Sequence, residues 1–288
     1  MTWLKVPALR DVLVMMNGYY SIFTVNPLSG SRKMRRKIYQ TGGLYFLLIW
    51  LAGCSHGTRI GQPFMTVPHP GKYQLAYYTP SQEHPVYSIA TVDGRKFYVK
   101  DDVVMPSAQS MYLLSHWVLH EGETVLDMGT GSGVQAVFAA DKASHVLATD
   151  INPAAVEMAK FNAEKNGVGD RVEVRKSDLF SAIGKNEKFD VILFNIDYPH
   201  NEATQGLWKL HERFFAQVKD HLNPNGRLYY QSGRIENIAR IDEMVRNNGM
   251  SIISMRMDAA LEVDKQPIVF LIKRNEDLQI KPDAWGGG

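Results

Sequence analysis

The feature that most limits what this chain can fold into is a series of seven short apolar segments between Thr124 and Arg274. They read TVLDMG, HVLATD, VEVRKSD, FDVILFNI, GRLYYQSG, SIISMRMD and IVFLIKR. Most are rich in β-branched, long aliphatic or aromatic side chains, the composition of strands. Helix-length stretches fill most of the gaps. Strands that alternate with helices build a mostly parallel sheet covered on both faces, and buried strands of that kind run continuously apolar. The expectation is therefore an α/β domain around a seven-stranded, mostly parallel sheet. Hydrophobic residues at 45% and charged residues at 22% are enough to furnish the core it needs.

Local signals agree. In INPAAVEMAKFNAEKNG, Asn152 can cap a helix, Pro153 suits its first turn, and Gly167 can end it. Val156, Ala159 and Ala163 mark the expected inner face. Upstream, VYSIATVDGRKFYVK alternates around Asp93-Gly94, a pair that supplies the positive φ values of a type I′ hairpin turn. PSAQSMYLLSHWVLHEG has helical spacing at Met111, Leu114, Trp117 and Val118, with closure expected at Gly122. His116 and His120 can share a face of that helix. No third ligand is near them, so no metal site is expected. RIGQPFMTVPHPGKYQ reads as linker or loop. The expected divisions are an extension with a signal-like segment over 1–54, a linker, hairpin and lead-in helix over 55–122, the α/β domain over 123–275, and a tail over 276–288.

Charge is unevenly placed. Residues 1–53 hold seven Lys/Arg and one Asp, which leaves 25 basic and 29 acidic residues for the rest. The main body thus has a balance of −4 and no basic stripe of the kind a long polyanion needs. The N-terminal excess includes Arg32, Lys33, Arg35, Arg36 and Lys37. An apolar run from Leu44 to Ala52 follows, and then Leu51-Ala52-Gly53-Cys54. Basic, apolar and small residues in that order form a secretory signal pattern. Its ending resembles the lipobox of bacterial lipoproteins, a resemblance that implies lipid on Cys54, a mature chain that begins there, and membrane anchoring. Met34 offers a start that would set residues 1–33 aside as an upstream misreading or a disordered extension. Cys54 is the single cysteine, so the chain can form no internal disulfide.

The most specific stretch is VLDMGTGSGVQAVFAA. A buried strand ends in Asp127, and then Gly129, Gly131 and Gly133 alternate before a helix. One glycine would serve a tight turn; three suggest close approach of the backbone to a ligand. The spacing Gly-x-Gly-x-Gly departs from the dinucleotide Gly-x-Gly-x-x-Gly, which disfavours a nicotinamide dehydrogenase. The next strand ends in Asp150, a carboxylate able to accept from two vicinal ribose hydroxyls. The third ends in Ser177-Asp178-Leu179, where an acid can accept from an adenine amino group. All these tips lie at the carboxyl edge, where ligands bind in such sheets.

VLDMGTGSG, ATDINPAAVEMAKFNAEKNG and KSDLF together resemble the class I S-adenosylmethionine-dependent methyltransferases, over about Val86 to Arg274. The likeness is strongest to the small-domain branch, which includes protein-glutamine and ribosomal RNA guanine methyltransferases. It implies a Rossmann-like sheet with a β-hairpin lead-in, and S-adenosyl-L-methionine as cofactor. By the same resemblance Asp127, Gly129, Thr130, Gly131 and Gly133 hold the methionine part, Asp150 and Ile151 the ribose side, and Ser177, Asp178 and Leu179 the adenine, with Asn195 beside the methyl.

The fourth tip reads Asn195-Ile196-Asp197-Tyr198-Pro199 where the branch keeps Asn-Pro-Pro-Tyr. In the branch that motif grips a planar nitrogen and stacks an aromatic ring on it. The resemblance implies that Asn195, Asp197 and Tyr198 face an acceptor, either protein side chain, nucleobase or small molecule, and that a nitrogen is methylated. Both prolines are gone and a carboxylate has entered, so Asp197 is either an acid–base or amine-orienting group or a turn cap. The rival expectation is a non-catalytic module tethered as a lipoprotein. The location that follows is a membrane-anchored lipoprotein, or the cytoplasm, where the methyl donor is made.

Overall fold

The computed structural model describes residues 87–257 and 267–278, with Tyr73 and Leu75 and the backbone of four further short strands. Three of those strands, β1 (Asp11–Met16), β2 (Tyr19–Thr24) and β3 (Arg35–Tyr39), form an antiparallel sheet in that order. Leu44 to Cys54 lie outside the described residues. The fourth, β4 (Leu75–Tyr78), pairs antiparallel with β5 (Ser88–Val92), and β5 with β6 (Arg95–Val99). Asp93 at φ 47° and Gly94 at φ 81° join the last two, as a type I′ turn requires. The hairpin was legible in the sequence; β4, directly after the stretch read as linker or loop, was not.

Seven strands make the main sheet: β7 (Thr124–Met128), β8 (His145–Asp150), β9 (Val172–Lys176), β10 (Phe189–Phe194), β11 (Leu222–Gly233), β12 (Met250–Met257) and β13 (Pro267–Arg274). Their order is β12-β13-β11-β10-β7-β8-β9. The pairs from β9 across to β11 are parallel; β13 runs antiparallel to both its neighbours. The chain starts in the middle at β7, builds outward to β9, then crosses to β10 on the other side. The crevice between the carboxyl ends of β7 and β10 is thus the point where the winding reverses, the usual ligand position in such sheets.

Each face is closed by apolar side chains. Val125, Val146, Val191 and Leu193 pack toward α1 (Ala108–His116), α2 (Val134–Ala139) and α3 (Pro153–Lys165). Leu126, Leu147, Ile192 and Phe194 pack toward α4 (Trp208–Val218) and α5 (Ile238–Asn247). Helix α3 is capped as expected, with the Asn152 side chain accepting from the Ala154 N–H at 3.0 Å. Its inner face is Ala155, Met158, Ala159, Asn162 and Ala163, so Val156 sits at the flank, half-buried, rather than at the centre. Asn162 is fully buried and ties three elements together. It accepts from the Tyr98 N–H and donates to the carbonyls of Tyr98 and Ser132.

Helix α1 is shorter than its spacing suggests. It opens on a capping box between Ser107 and Ser110 and stops at His116, because Trp117 turns extended (φ −78°, ψ 151°). The Trp117 indole N–H reaches the Gln135 side chain at 2.8 Å, and the Val118 N–H reaches the Tyr229 hydroxyl at 3.1 Å. Gln135 lies on α2 and Tyr229 on β11, and the extended turn at Trp117 brings the chain to both. His120 consequently lies beyond the helix and shares no face with His116. Among the described residues no three His, Cys, Asp or Glu side chains are grouped closely enough to hold a metal ion, and no helix is long and apolar enough to cross a membrane.

Candidate functional site

The turn after β7 has Gly129, Gly131 and Gly133 at φ 74°, 55° and 85°, all in the left-handed region that side chains disfavour. The three glycines answer to different neighbours. A Cβ on Gly133 would sit 3.0 Å from the Cα of Ala159, and one on Gly129 would overlap the Ile196 side chain at 2.4 Å. One on Gly131 would meet only the Val104 carbonyl, at 3.7 Å. Close packing within the protein thus explains two of them, while a Cβ on Gly131 would make only an ordinary van der Waals contact.

Asp127 faces inward. Its Oδ2 accepts from the Thr130 hydroxyl at 2.6 Å and from the Ala136 N–H at 3.1 Å, which braces the glycine turn against the first turn of α2. Burial pushes its carboxyl up to about 6, against the pull of those two donors, with the nearby Asp150 charge adding to the rise.

Asp150 stands at the next strand tip, half-buried. Its Oδ2 accepts from the Gly131 N–H and its Oδ1 from the Asn152 N–H, each at 2.9 Å. Two backbone donors fix the carboxylate plane, and each oxygen keeps a second lone pair for a ligand. Ile151 beside it leaves 61% of its surface exposed, an apolar platform at the mouth of the crevice. The irregular segment between β6 and α1 passes over this mouth. Val104 lies above Gly131, and the Asp102 carbonyl accepts from the Asn152 side chain at 2.8 Å.

The third tip is only partly open. Ser177 is buried, with its hydroxyl donating to the Leu179 carbonyl at 2.7 Å and accepting from the Ala182 N–H at 3.0 Å. Leu179 points into the core at φ 50°. Asp178 keeps an exposed carboxylate, one oxygen of which meets Arg213 of α4 at 2.8 Å. Such exposed pairs contribute little, so Arg213 is no strong competitor for a ligand there.

The pairing of Phe194 with Met128 brings Asn195 alongside Gly129 across the crevice. Asn195 is half-buried, and its amide makes one long contact to the Ser110 hydroxyl at 3.4 Å. Ile196 covers Gly129, taking the place that the related motif gives to proline. Asp197 is exposed and accepts from the Tyr198 N–H at 3.0 Å, the arrangement of a turn cap. Tyr198, expected to offer a ring face or a hydroxyl at the edge, is turned inward and buried. Its hydroxyl accepts from the Gln109 amide at 2.9 Å, and its ring lies so close to Gly233 that a Cβ there would overlap it. Asn195, Gly131, Asp150 and Ile151 therefore border one crevice, while Tyr198, Ser177 and Leu179 support its walls from within.

Sequence reasoning missed the residues that hold the fourth loop. His211 of α4 is fully buried. Its Nε2 lies 3.0 Å from the Asp197 carbonyl and its Nδ1 2.8 Å from the Tyr230 hydroxyl. A carbonyl can only accept, so Nε2 carries the proton and Nδ1 accepts from Tyr230. Burial pushes the imidazole down to about 4, while the Asp197 carbonyl and charge pull the other way. Asn237 donates to the carbonyls of Pro199 and Gly233, locking the end of the same loop to β11. A signal for His211 existed: in WKLHERFF it follows Trp208 by three and precedes Phe215 by four, on the apolar face.

The comparisons with known proteins agree with this geometry. Residues 107–248 match the family model described as methyltransferase small domain. Release factor glutamine methyltransferase from Cereibacter sphaeroides is 32% identical over 57% of this chain and 66% of its own length. Ribosomal protein L11 methyltransferase from Lactobacillus johnsonii is 33% identical over 52% and 44%. The chain thus spans less than two thirds of the length of these relatives. Among solved structures, M. jannaschii TYW2 in complex with AdoMet superposes with a TM-score of 0.52 at 17% identity, over 70% of this chain and 100% of that one. At that identity the likeness is one of fold. In fold, strand order and motif order the α/β domain is similar to S-adenosyl-L-methionine-dependent methyltransferases. Within it, residues 107–248 are the part similar to the methyltransferase small domain.

Proposed function

We propose that this protein transfers the methyl group of S-adenosyl-L-methionine to a planar nitrogen, on a protein acceptor. The observation that carries the reading is the convergence of Gly131, Asp150 and Asn195 on one crevice at the reversal point of the sheet. The residues fit the cofactor. Gly131 leaves room for a close approach, and Asp150 presents two fixed oxygens at ribose height with Ile151 as an apolar neighbour. When bound, the cofactor supplies an electrophilic methyl on a sulfonium. The chain's own part is then positioning and exclusion of water. Asp127 stiffens the turn, Val104 and Ile196 close its two sides, and Asn195 offers a donor and an acceptor to the incoming nitrogen.

In this reading Asp197 caps its turn and Tyr198 braces the loop through Gln109, so neither serves as a base. An amide or amide-like nitrogen needs its lone pair aimed, and Asn195 is the group placed to do so. A protein acceptor is favoured by what the relatives' names state, and by the acidic balance of the main body. The non-catalytic tethered alternative rests on the altered Asn195–Tyr198 motif and on the lipobox-like segment ending in Cys54, which lies outside the described residues. Calorimetry of the full chain with S-adenosylmethionine, its demethylated product and NAD tests the proposal. Binding of the first two and not NAD is expected; NAD binding alone overturns it.

A further inference from the structure

Gln231 of β11 is the least explained polar residue among those described. It is 1% exposed, and neither its amide nitrogen nor its carbonyl oxygen has a hydrogen-bond partner among the described residues. A buried amide left with both ends unmade is unfavourable, and native structures hold few of them without a cause. The position of this one supplies a cause. The recorded register pairs Phe194 of β10 with Tyr230 of β11, and the rings of those two stack at 5.3 Å on the α4 face. One step further along each strand stand Asn195 and Gln231. Side chains alternate along a strand, so both turn to the opposite face, beneath α1. Two contacts agree with that direction. Asn195 reaches Ser110 of α1, and Gln231 pairs across the sheet with Val269, which packs in the α1-side core.

Two carboxamides thus stand side by side at the carboxyl edge, on adjacent strands about 4.8 Å apart. One has a single long contact and the other has none. Each carries two N–H donors and a carbonyl acceptor. We infer that Gln231 is a second acceptor-orienting residue. It pairs with the far edge of the planar amide-like group whose nitrogen Asn195 aims at the methyl. The inference rests on the proposed methyl transfer to a planar nitrogen and adds to it the residue that selects such a group. A rival occupant is a single buried water, which would satisfy the amide without any part in transfer.

The substitution Gln231→Met separates these roles, because methionine matches glutamine in length and has no amide. Removing an unsatisfied buried amide in favour of an apolar chain of the same shape stabilises the fold. The full-length variant is therefore expected to melt above the wild type. It should bind S-adenosylmethionine within about twofold of wild type, and lose about tenfold or more in kcat/KM toward the acceptor, since orientation at the reacting centre is lost. A lower melting temperature overturns the inference, because the amide is then a structural partner. A raised melting temperature with unchanged transfer also overturns it and assigns the amide to a water. If the wild-type chain binds the cofactor but methylates nothing in cell extract, the transfer proposal itself fails and this inference with it. Wild-type transfer with an equally active Gln231→Met variant refutes only the role of Gln231.

Discussion

Acid should loosen this protein through one buried histidine. His211 donates from Nε2 to the Asp197 carbonyl and accepts at Nδ1 from Tyr230, so adding a proton forces a charge into the core and removes the only acceptor it offers Tyr230. Its pKa is pushed from 6.5 to about 4. A displacement of about 2.5 pH units, at about 1.36 kcal/mol per unit, corresponds to about 3 kcal/mol of stability. The sign follows from which state binds the proton first. Between pH 6.5 and 4 the unfolded chain takes it up and the folded chain does not. The contribution is therefore complete above pH 6.5 and is lost as pH falls toward 4. The assay is urea unfolding of the wild type and of His211→Gln, from pH 7.5 to 4. Glutamine can donate to the carbonyl and accept from the hydroxyl without titrating. The wild type should lose about 3 kcal/mol relative to the variant over that range, with most of the loss below pH 6. Parallel curves would refute the assignment of a neutral, buried His211.

Three shorter expectations follow from the same geometry. Asp150→Ala should weaken S-adenosylmethionine binding by about 1–3 kcal/mol in calorimetry, the cost of leaving a ligand's polar groups unpaired; unchanged binding would remove Asp150 from the site. Gly129→Ala should lower stability by at least about 1–2 kcal/mol, because a left-handed backbone disfavours Cβ and the new methyl meets Ile196. In an Ile196→Ala background the penalty should shrink, and an equal penalty in both backgrounds in thermal melts would argue against that contact. Asp197→Asn should keep transfer within about threefold, because the amide oxygen can still accept from the Tyr198 N–H; a hundredfold loss would make the carboxylate a base instead.

The sequence made the sheet legible because the inner strands β7, β8, β10, β11 and β13 carry apolar runs bounded by turn residues and are buried over most of their length. It made Asn152 and Asp93-Gly94 legible because caps and tight turns depend on the residues beside them. Trp117 shows where such reasoning stops. Its spacing continues the helix, but its indole is satisfied by Gln135, eighteen residues away, and the backbone follows the partner. Tyr198 and His211 fail for the same reason. Their partners, Gln109 and Tyr230, are brought near only by the closed sheet, so no local pattern marks which way either ring turns. The glycines divide in an instructive way. All three announce a special backbone, but only the folded chain distinguishes Gly129 and Gly133, which make room for the protein itself, from Gly131, where a Cβ would meet only the Val104 carbonyl at ordinary contact distance, 3.7 Å.

The central claim is that Asn195 aims an acceptor nitrogen at a methyl group held by the glycine turn and Asp150. The measurement that tests it most directly is transfer of label from methyl-tritiated S-adenosylmethionine into cell extract, by the wild-type full chain and by Asn195→Ala, with cofactor affinity measured on both. The account predicts a labelled protein with the wild type, affinities within about threefold of each other, and transfer by the variant reduced about a hundredfold or more. Normal transfer by Asn195→Ala, or tight cofactor binding by a wild-type chain that labels nothing, would contradict it.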